Sequence, residues 1–143
     1  VNQPQHHYNW GEGVEQAVGT PGERFNPLGE FERAGVPVTI SSDAPVADPR
    51  PMEAIQAAVS RITRRGTQLG SDDLAVSLDT ALRAHTISAA RALGREDELG
   101  SIEIGKRADF PVLARDPCDT PTPERAQVAI AETWIGGERV YAL

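Results

Sequence analysis

Asp43 is the residue whose type and position best suit chemistry. It lies within the stretch Gly35-Val-Pro-Val-Thr-Ile-Ser-Ser-Asp43-Ala-Pro-Val46, a β-branched apolar run followed by hydroxyls, a carboxylate and a small-residue loop. Such a run reads as a buried strand, and in an α/β barrel functional groups stand at the carboxyl ends of strands. A carboxylate there can ligate a divalent metal or accept a proton from metal-bound water. It can equally cap the loop through its own backbone, as Asp often does after a strand. The stretch alone leaves both roles open. His6 and His7 are adjacent, and neighbouring side chains on a strand point to opposite faces, so they do not form a His-x-His metal pair. Each reads first as a solvated or locally bonded loop histidine. His85 has no partner at metal-ligand spacing and reads as a packed or capping residue of a helix. The single cysteine, Cys118, excludes an internal disulfide and a Cys-based metal cage. It sits between Pro117 and Asp119 in a turn-like segment.

The elements that must position these residues follow from spacing. Residues 1–9 read as extended, with Pro4 disfavouring a helix. Residues 11–27 read as a Gly/Pro-rich loop with at most one helical turn near Val14–Val18. Asn26-Pro27 is a helix start, and a short helix to about Ala34 turns Leu28 and Phe31 inward, with Gly35 as its stop. Val36–Ser41 is the strand, with Pro37 at its beginning. Met52, Ile55, Val59 and Ile62 mark one apolar face of a helix running from Pro51 to about Arg65. Ser77 caps a further helix and Thr86 a second short one, stopped by Gly94. From Gly100 the pattern changes. Ser101–Ile104 alternates, Ala108–Leu113 and Gln127–Ile135 read as strands, and Gly136-Gly137 joins the latter to Glu138–Ala142 in a hairpin. Pro111 removes a backbone donor, so its strand belongs at an edge or bulge. A boundary near Leu99-Gly100 divides a helix–strand part, 1–99, from a small β-rich part, 100–143.

Composition narrows the function classes. The chain has 143 residues, enough for a real core, and a hydrophobic fraction of 39%. A net charge of −7 argues against a nucleic-acid binder, and the arginines in helix-like segments read as solvated faces. No stretch approaches the roughly 18 apolar residues of a membrane helix. The polar opening Val1–His7 has no apolar signal region, so a cytoplasmic location is expected. Val1 is strand-like and is not an initiating Met, which suggests further chain upstream.

Four landmarks, in order and at plausible spacing, resemble amidohydrolase family 3 of the metal-dependent amidohydrolase superfamily. The Gly35–Val46 stretch is similar to its last barrel strand. Ala81-Leu-Arg-Ala-His-Thr86-Ile-Ser-Ala-Ala90 is similar to its Thr-x-x-Ala-Ala helix. Gly100-Ser-Ile-Glu-Ile-Gly-Lys-Arg-Ala-Asp109-Phe is similar to its Gly-Ser-Ile-Glu-x-Gly-Lys-x-Ala-Asp-Leu signature, and Ala131–Tyr141 to its closing hairpin. Pro111 departs from the family's usual aliphatic residue.

The resemblance implies an α/β fold: residues 1–99 form the last part of a (β/α)8 (TIM-like) barrel, with its last two strands and following helices, and residues 100–143 form strands of a small β-sandwich. It implies one or two divalent metals, commonly zinc, of whose ligands only Asp43 has a match here. The other ligands, and the missing N-terminal part of the barrel, would lie upstream. Asp43 would be metal ligand and general base, then acid, in hydrolysis of non-peptide C–N bonds of a small-molecule substrate, with Ser41 and Ser42 orienting it. His6 would face the substrate, at the exit of the seventh strand formed by residues 1–7. Lys106 and Asp109 would seat the sandwich, and Trp134 and Tyr141 would fill its core. The 143 residues alone would be inactive and hold no catalytic metal tightly, and the complete protein would admit a homo-oligomer. The competing reading is a non-catalytic module that assembles with a separate partner chain.

Overall fold

In the computed structural model, residues 1–19 and 24–143 are described; the loop expected at residues 20–23 lies outside them. The first helix, α1, spans Pro4–Val18, where an extended piece and a loop were expected. Proline keeps the residue before it out of the helical region, and Gln3 obeys with φ −122°, but proline itself suits the first helical position, where no backbone donor is needed. Pro4 therefore starts a helix rather than breaking one. Pro4, His7 and Gly11 then recur on one buried stripe, which packs against a later helix. Gly11 is there for space: a Cβ would overlap the side chain of Leu69.

Ahead of α1, Asn2 bridges Ile40 in parallel. The Asn2 amide donates to the Thr39 carbonyl (2.8 Å), and the Ser41 amide donates to the Asn2 carbonyl (2.9 Å). The two chain segments expected as adjacent barrel strands thus run side by side, joined by this single bridge rather than by full strands over 1–7 and 36–41. Between them lies α2, Leu28–Arg33, close to its expected bounds, with Gly35 at φ 65° ending the turn.

Helix α3, Pro51–Ser60, buries Met52, Ala54, Ile55, Ala57 and Ala58. It stops five residues before the expected end because Arg61 turns into the left-handed region, φ 53°. Ile62 accordingly leaves the apolar face, is 38% exposed, and bridges Gln68 instead. Arg61 is itself buried. Its guanidinium donates to the carbonyls of Leu69 (2.9 Å), Asn26 (2.9 Å) and Phe25 (3.0 Å), so one cation ties the end of α3 to two loops.

Helix α4, Leu78–His85, is capped as expected: the Ser77 hydroxyl accepts from the Thr80 amide at 3.1 Å. Helix α5, Ile87–Ala92, lacks the expected side-chain cap, because the Thr86 hydroxyl donates back to the Leu82 carbonyl (2.9 Å). The core joins Leu28 of α2, Val38 and Ile40, the α3 face, Val76, and Ala81 and Ala84 of α4. Its small alanines let the helices approach closely.

Ser101–Ile104 forms a bend and irregular chain leading into a turn at Ile104, not a strand, and Ile102 and Ile104 are exposed. Three antiparallel strands follow: β1 Phe110–Leu113, β2 Ile130–Ile135 and β3 Glu138–Ala142, in that spatial order. Pro111 lies in the edge strand β1, opposite Thr133 and next to a register shift, as its missing donor requires. Asp109 accepts from the Gly136 amide (2.6 Å) and pins the hairpin turn, while Lys106 binds the Ser101 hydroxyl (2.6 Å) and Glu103 (3.3 Å). Trp134 stacks on Phe110, with centroids 6.0 Å apart. Tyr141, expected in the same core, is 46% exposed, because every residue of β3 faces solvent. Val128, just before β2, is buried in the main core, with Leu113 packed against it.

Candidate functional site

Asp43 stands three residues past Ile40, the bridge partner of Asn2, in a tight turn in which its carbonyl accepts from the Val46 amide (2.8 Å). Its backbone is left-handed, φ 57°. That conformation is several-fold commoner for Asp and Asn than for other non-glycine residues. The carboxylate is half-exposed. Among the described residues it receives no hydrogen bond from Ser41 or Ser42, the pair expected to orient it. It faces His6 instead: Oδ2 lies 3.8 Å from His6 Nε2.

His6 is held by helix geometry. It lies in the first turn of α1, and Trp10 follows one turn later, so the two rings meet on the same helix face, 5.4 Å apart. Its Nε2 is buried and makes no hydrogen bond; the Asp43 carboxylate, at 3.8 Å, stays beyond bonding reach. The two residues singled out from sequence for metal and substrate are therefore neighbours, with an uncommitted acceptor and an uncommitted ring nitrogen turned toward each other.

His7 points the other way, and it is not a solvated loop residue. It is fully buried and bonded through Nε2 to the Arg61 carbonyl, 2.9 Å. A carbonyl can only accept, so the ring proton belongs on Nε2 and the neutral ring donates. Burial pushes its pKa down from 6.5 to about 4. The His7–Arg61 bond latches α1 to the end of α3 and so fixes the turn that carries His6. His85 is packed, as expected. It ends α4, beside a cleft of about 240 Å³ shared with Gln5, Ser41 and Ser42, and burial lowers its pKa. Cys118 lies in an exposed turn closed by the Asp116 carboxylate, which accepts its amide (2.7 Å).

Carboxylate oxygen and imidazole nitrogen are both suitable zinc donors. Among the described residues, no group of three or more His, Cys, Asp or Glu side chains gathers to hold an ion. Asp43 with its neighbour His6 fits a partial donor set, not a closed one.

Sequence reasoning passed over Trp10 and the His7–Arg61 latch. Their signal is the i, i+4 spacing of His6 and Trp10 and the i, i+4 stripe His7–Gly11, both legible once residues 4–18 are taken as helix.

The amidohydrolase family model matches residues 3–141. The chain belongs to the amidohydrolase family. It is 40% identical over 136 residues to the N-substituted formamide deformylase of Arthrobacter pascens, covering 94% of this chain and 25% of that protein. It therefore spans about a quarter of the length of that curated relative. Among solved structures, a zinc-bound adenosine deaminase from Xanthomonas campestris is similar, with a TM-score of 0.60 and 28% identity over 79% of this amidohydrolase chain and 27% of that one. An uncharacterized metal-dependent hydrolase from Pyrococcus horikoshii shares the fold, with a TM-score of 0.68 and 23% identity over 85% of this chain and 25% of its own. No helix among the described residues is long and apolar enough to cross a membrane.

Proposed function

We propose that this chain is the closing part of a metal-dependent amidohydrolase that cleaves non-peptide C–N bonds of small molecules with water, Asp43 being metal ligand and general base. The observation that carries the reading is the Asp43–His6 pair: a half-exposed carboxylate 3.8 Å from a buried, unbonded imidazole nitrogen, at the end of a parallel pair of segments. The names of similar proteins, a deformylase and a deaminase, support C–N hydrolysis. Residues 1–99 belong to the barrel and 100–143 to the sandwich, and the remaining metal ligands stand on chain outside these 143 residues.

A divalent metal, zinc by preference, would supply Lewis acidity and an acidified water. Asp43 accepts the proton of the attacking water. It then delivers that proton to the departing nitrogen, so one carboxylate serves as base and acid in turn. His6, held against Trp10, lines the approach to the reacting carbon and positions the substrate. The turn at Asp43–Val46 keeps the carboxylate at the mouth of the site, open to substrate.

The test is Asp43→Asn in the complete, metal-loaded enzyme. The expected result is an unchanged circular-dichroism spectrum with turnover lowered by about a thousandfold, the scale of a lost general base with part of the metal's support. Near wild-type kinetics would remove Asp43 from the mechanism.

A further inference from the structure

Beside the Asp43–His6 pair lies a cavity of about 310 Å³. Two of its walls tie it to the site. Trp10, whose ring packs on His6, lines it, and so does Val46, whose amide bonds to the Asp43 carbonyl. The Trp10 indole is 45% exposed, a large flat apolar surface left open to water beside a reactive pair.

The charges around the cavity balance in number but not in commitment. Arg50, Arg64, Asp48 and Glu53 all line it. Arg50 takes both acids: its Nε lies 3.6 Å from Asp48, and its guanidinium also lies 3.1 Å from Glu53. Glu53 is held further by the Gln5 amide at 3.5 Å. Arg64 has no carboxylate partner among the described residues, although its backbone is fixed by the hydrogen bond its N–H donates to the Tyr8 carbonyl (2.8 Å). The cavity therefore offers an aromatic wall and one uncommitted planar cation. A cationic ligand would have to strip Asp48 or Glu53 from Arg50. An anionic one finds Arg64 without a carboxylate partner among the described residues, in a chain whose net charge of −7 otherwise repels anions.

We infer that this cavity is a specificity subsite, and that it takes a flat aromatic group ending in a carboxylate or similar anion, the ring against Trp10 and the anion on Arg64. The inference rests on the hydrolase reading for its reaction, not for its binding. Arg64 selects substrate here; Asp43 does the chemistry.

The experiment compares N-(para-carboxybenzyl)formamide with its neutral isostere N-(para-methylbenzyl)formamide on the complete, metal-loaded enzyme, by turnover and by calorimetric binding. The carboxylate is expected to be favoured in kcat/KM by on the order of tenfold, the worth of one charge-assisted contact, and chiefly through KM. In Arg64→Gln that ratio is expected to fall to about one. Trp10→Leu is expected to weaken binding of both amides together. Equal turnover of the two amides by the native enzyme, or an undiminished preference in Arg64→Gln, would overturn the subsite while leaving the hydrolase reading standing. Arg64-dependent binding without turnover would uphold the subsite and place the cleaved C–N bond outside formamides. Failure of both compounds to bind would overturn the subsite, while the hydrolase reading stands or falls on Asp43→Asn.

Discussion

His7 gives the sharpest physical test of the fold around the site. Its ring is buried, donates through Nε2 to the Arg61 carbonyl, and has its pKa lowered from 6.5 to about 4. In the unfolded chain the imidazole gains a proton near its ordinary pKa; in the folded chain it resists until about pH 4. The unfolded state therefore binds more protons throughout that window. Stability from this group is complete above pH 6.5 and is lost as pH falls from there toward pH 4. Each unit of pH within the window costs about 1.4 kcal/mol. Between pH 7 and pH 5, before most carboxylates titrate, the loss works out at about 2 kcal/mol. His85, also lowered by burial, adds a loss of the same sign. His7→Gln keeps an N–H donor of similar reach but cannot titrate, so it isolates the His7 share. The assay is urea unfolding followed by circular dichroism at pH 7 and pH 5 for both proteins. The native chain is expected to lose about 2 kcal/mol more than the variant on acidification. Equal losses would refute the buried neutral imidazole and, with it, the latch that fixes the first turn of α1.

Two further substitutions test the packing that positions the site. A Cβ at Gly29 would overlap the carbonyls of Asp73 and Ala75, backbone atoms that cannot swing aside. Gly29→Ala is therefore expected to cost about 2–3 kcal/mol in urea unfolding, against the gain expected for alanine in an unobstructed helix. Ser77→Ala removes the N-cap of α4 and a 2.8 Å bond to Glu32, and is expected to cost about 1 kcal/mol in the same measurement.

Much of the architecture was legible wherever one local rule acted unopposed. Ser77 with its cap, the α2 helix stopped at Gly35, Pro111 on an edge strand and the Gly136-Gly137 hairpin each follow from a single backbone or capping preference. The misreadings arose where two rules competed. Pro4 signals both a helix start and a helix break, and only the burial of His7 against the Arg61 carbonyl and of Gly11 against Leu69 decides for the start. The apolar spacing runs on to Ile62, yet Arg61 ends α3, because its guanidinium finds three carbonyl acceptors when the backbone turns left-handed. Tyr141 was placed in the core by the family resemblance, but all five residues of β3 are exposed among the described residues. For the site, Asp43 could be singled out from its place after the apolar run. Its partner His6 could be named but not paired with it, since a contact across 37 positions of sequence depends on α1 being a helix.

The left-handed backbone at Asp43 restricts what can occupy that position apart from any chemistry. Asn and Gly enter the same conformation at little cost, whereas Val, Ile or Thr would have to bend the turn that joins the carbonyl of residue 43 to the amide of Val46. A saturation library at this site will therefore be filtered twice, first by main-chain shape and then by reactivity. Only the few shape-compatible residues report on reactivity. An inactive β-branched variant says nothing about the carboxylate, while an inactive Asn variant speaks to it directly.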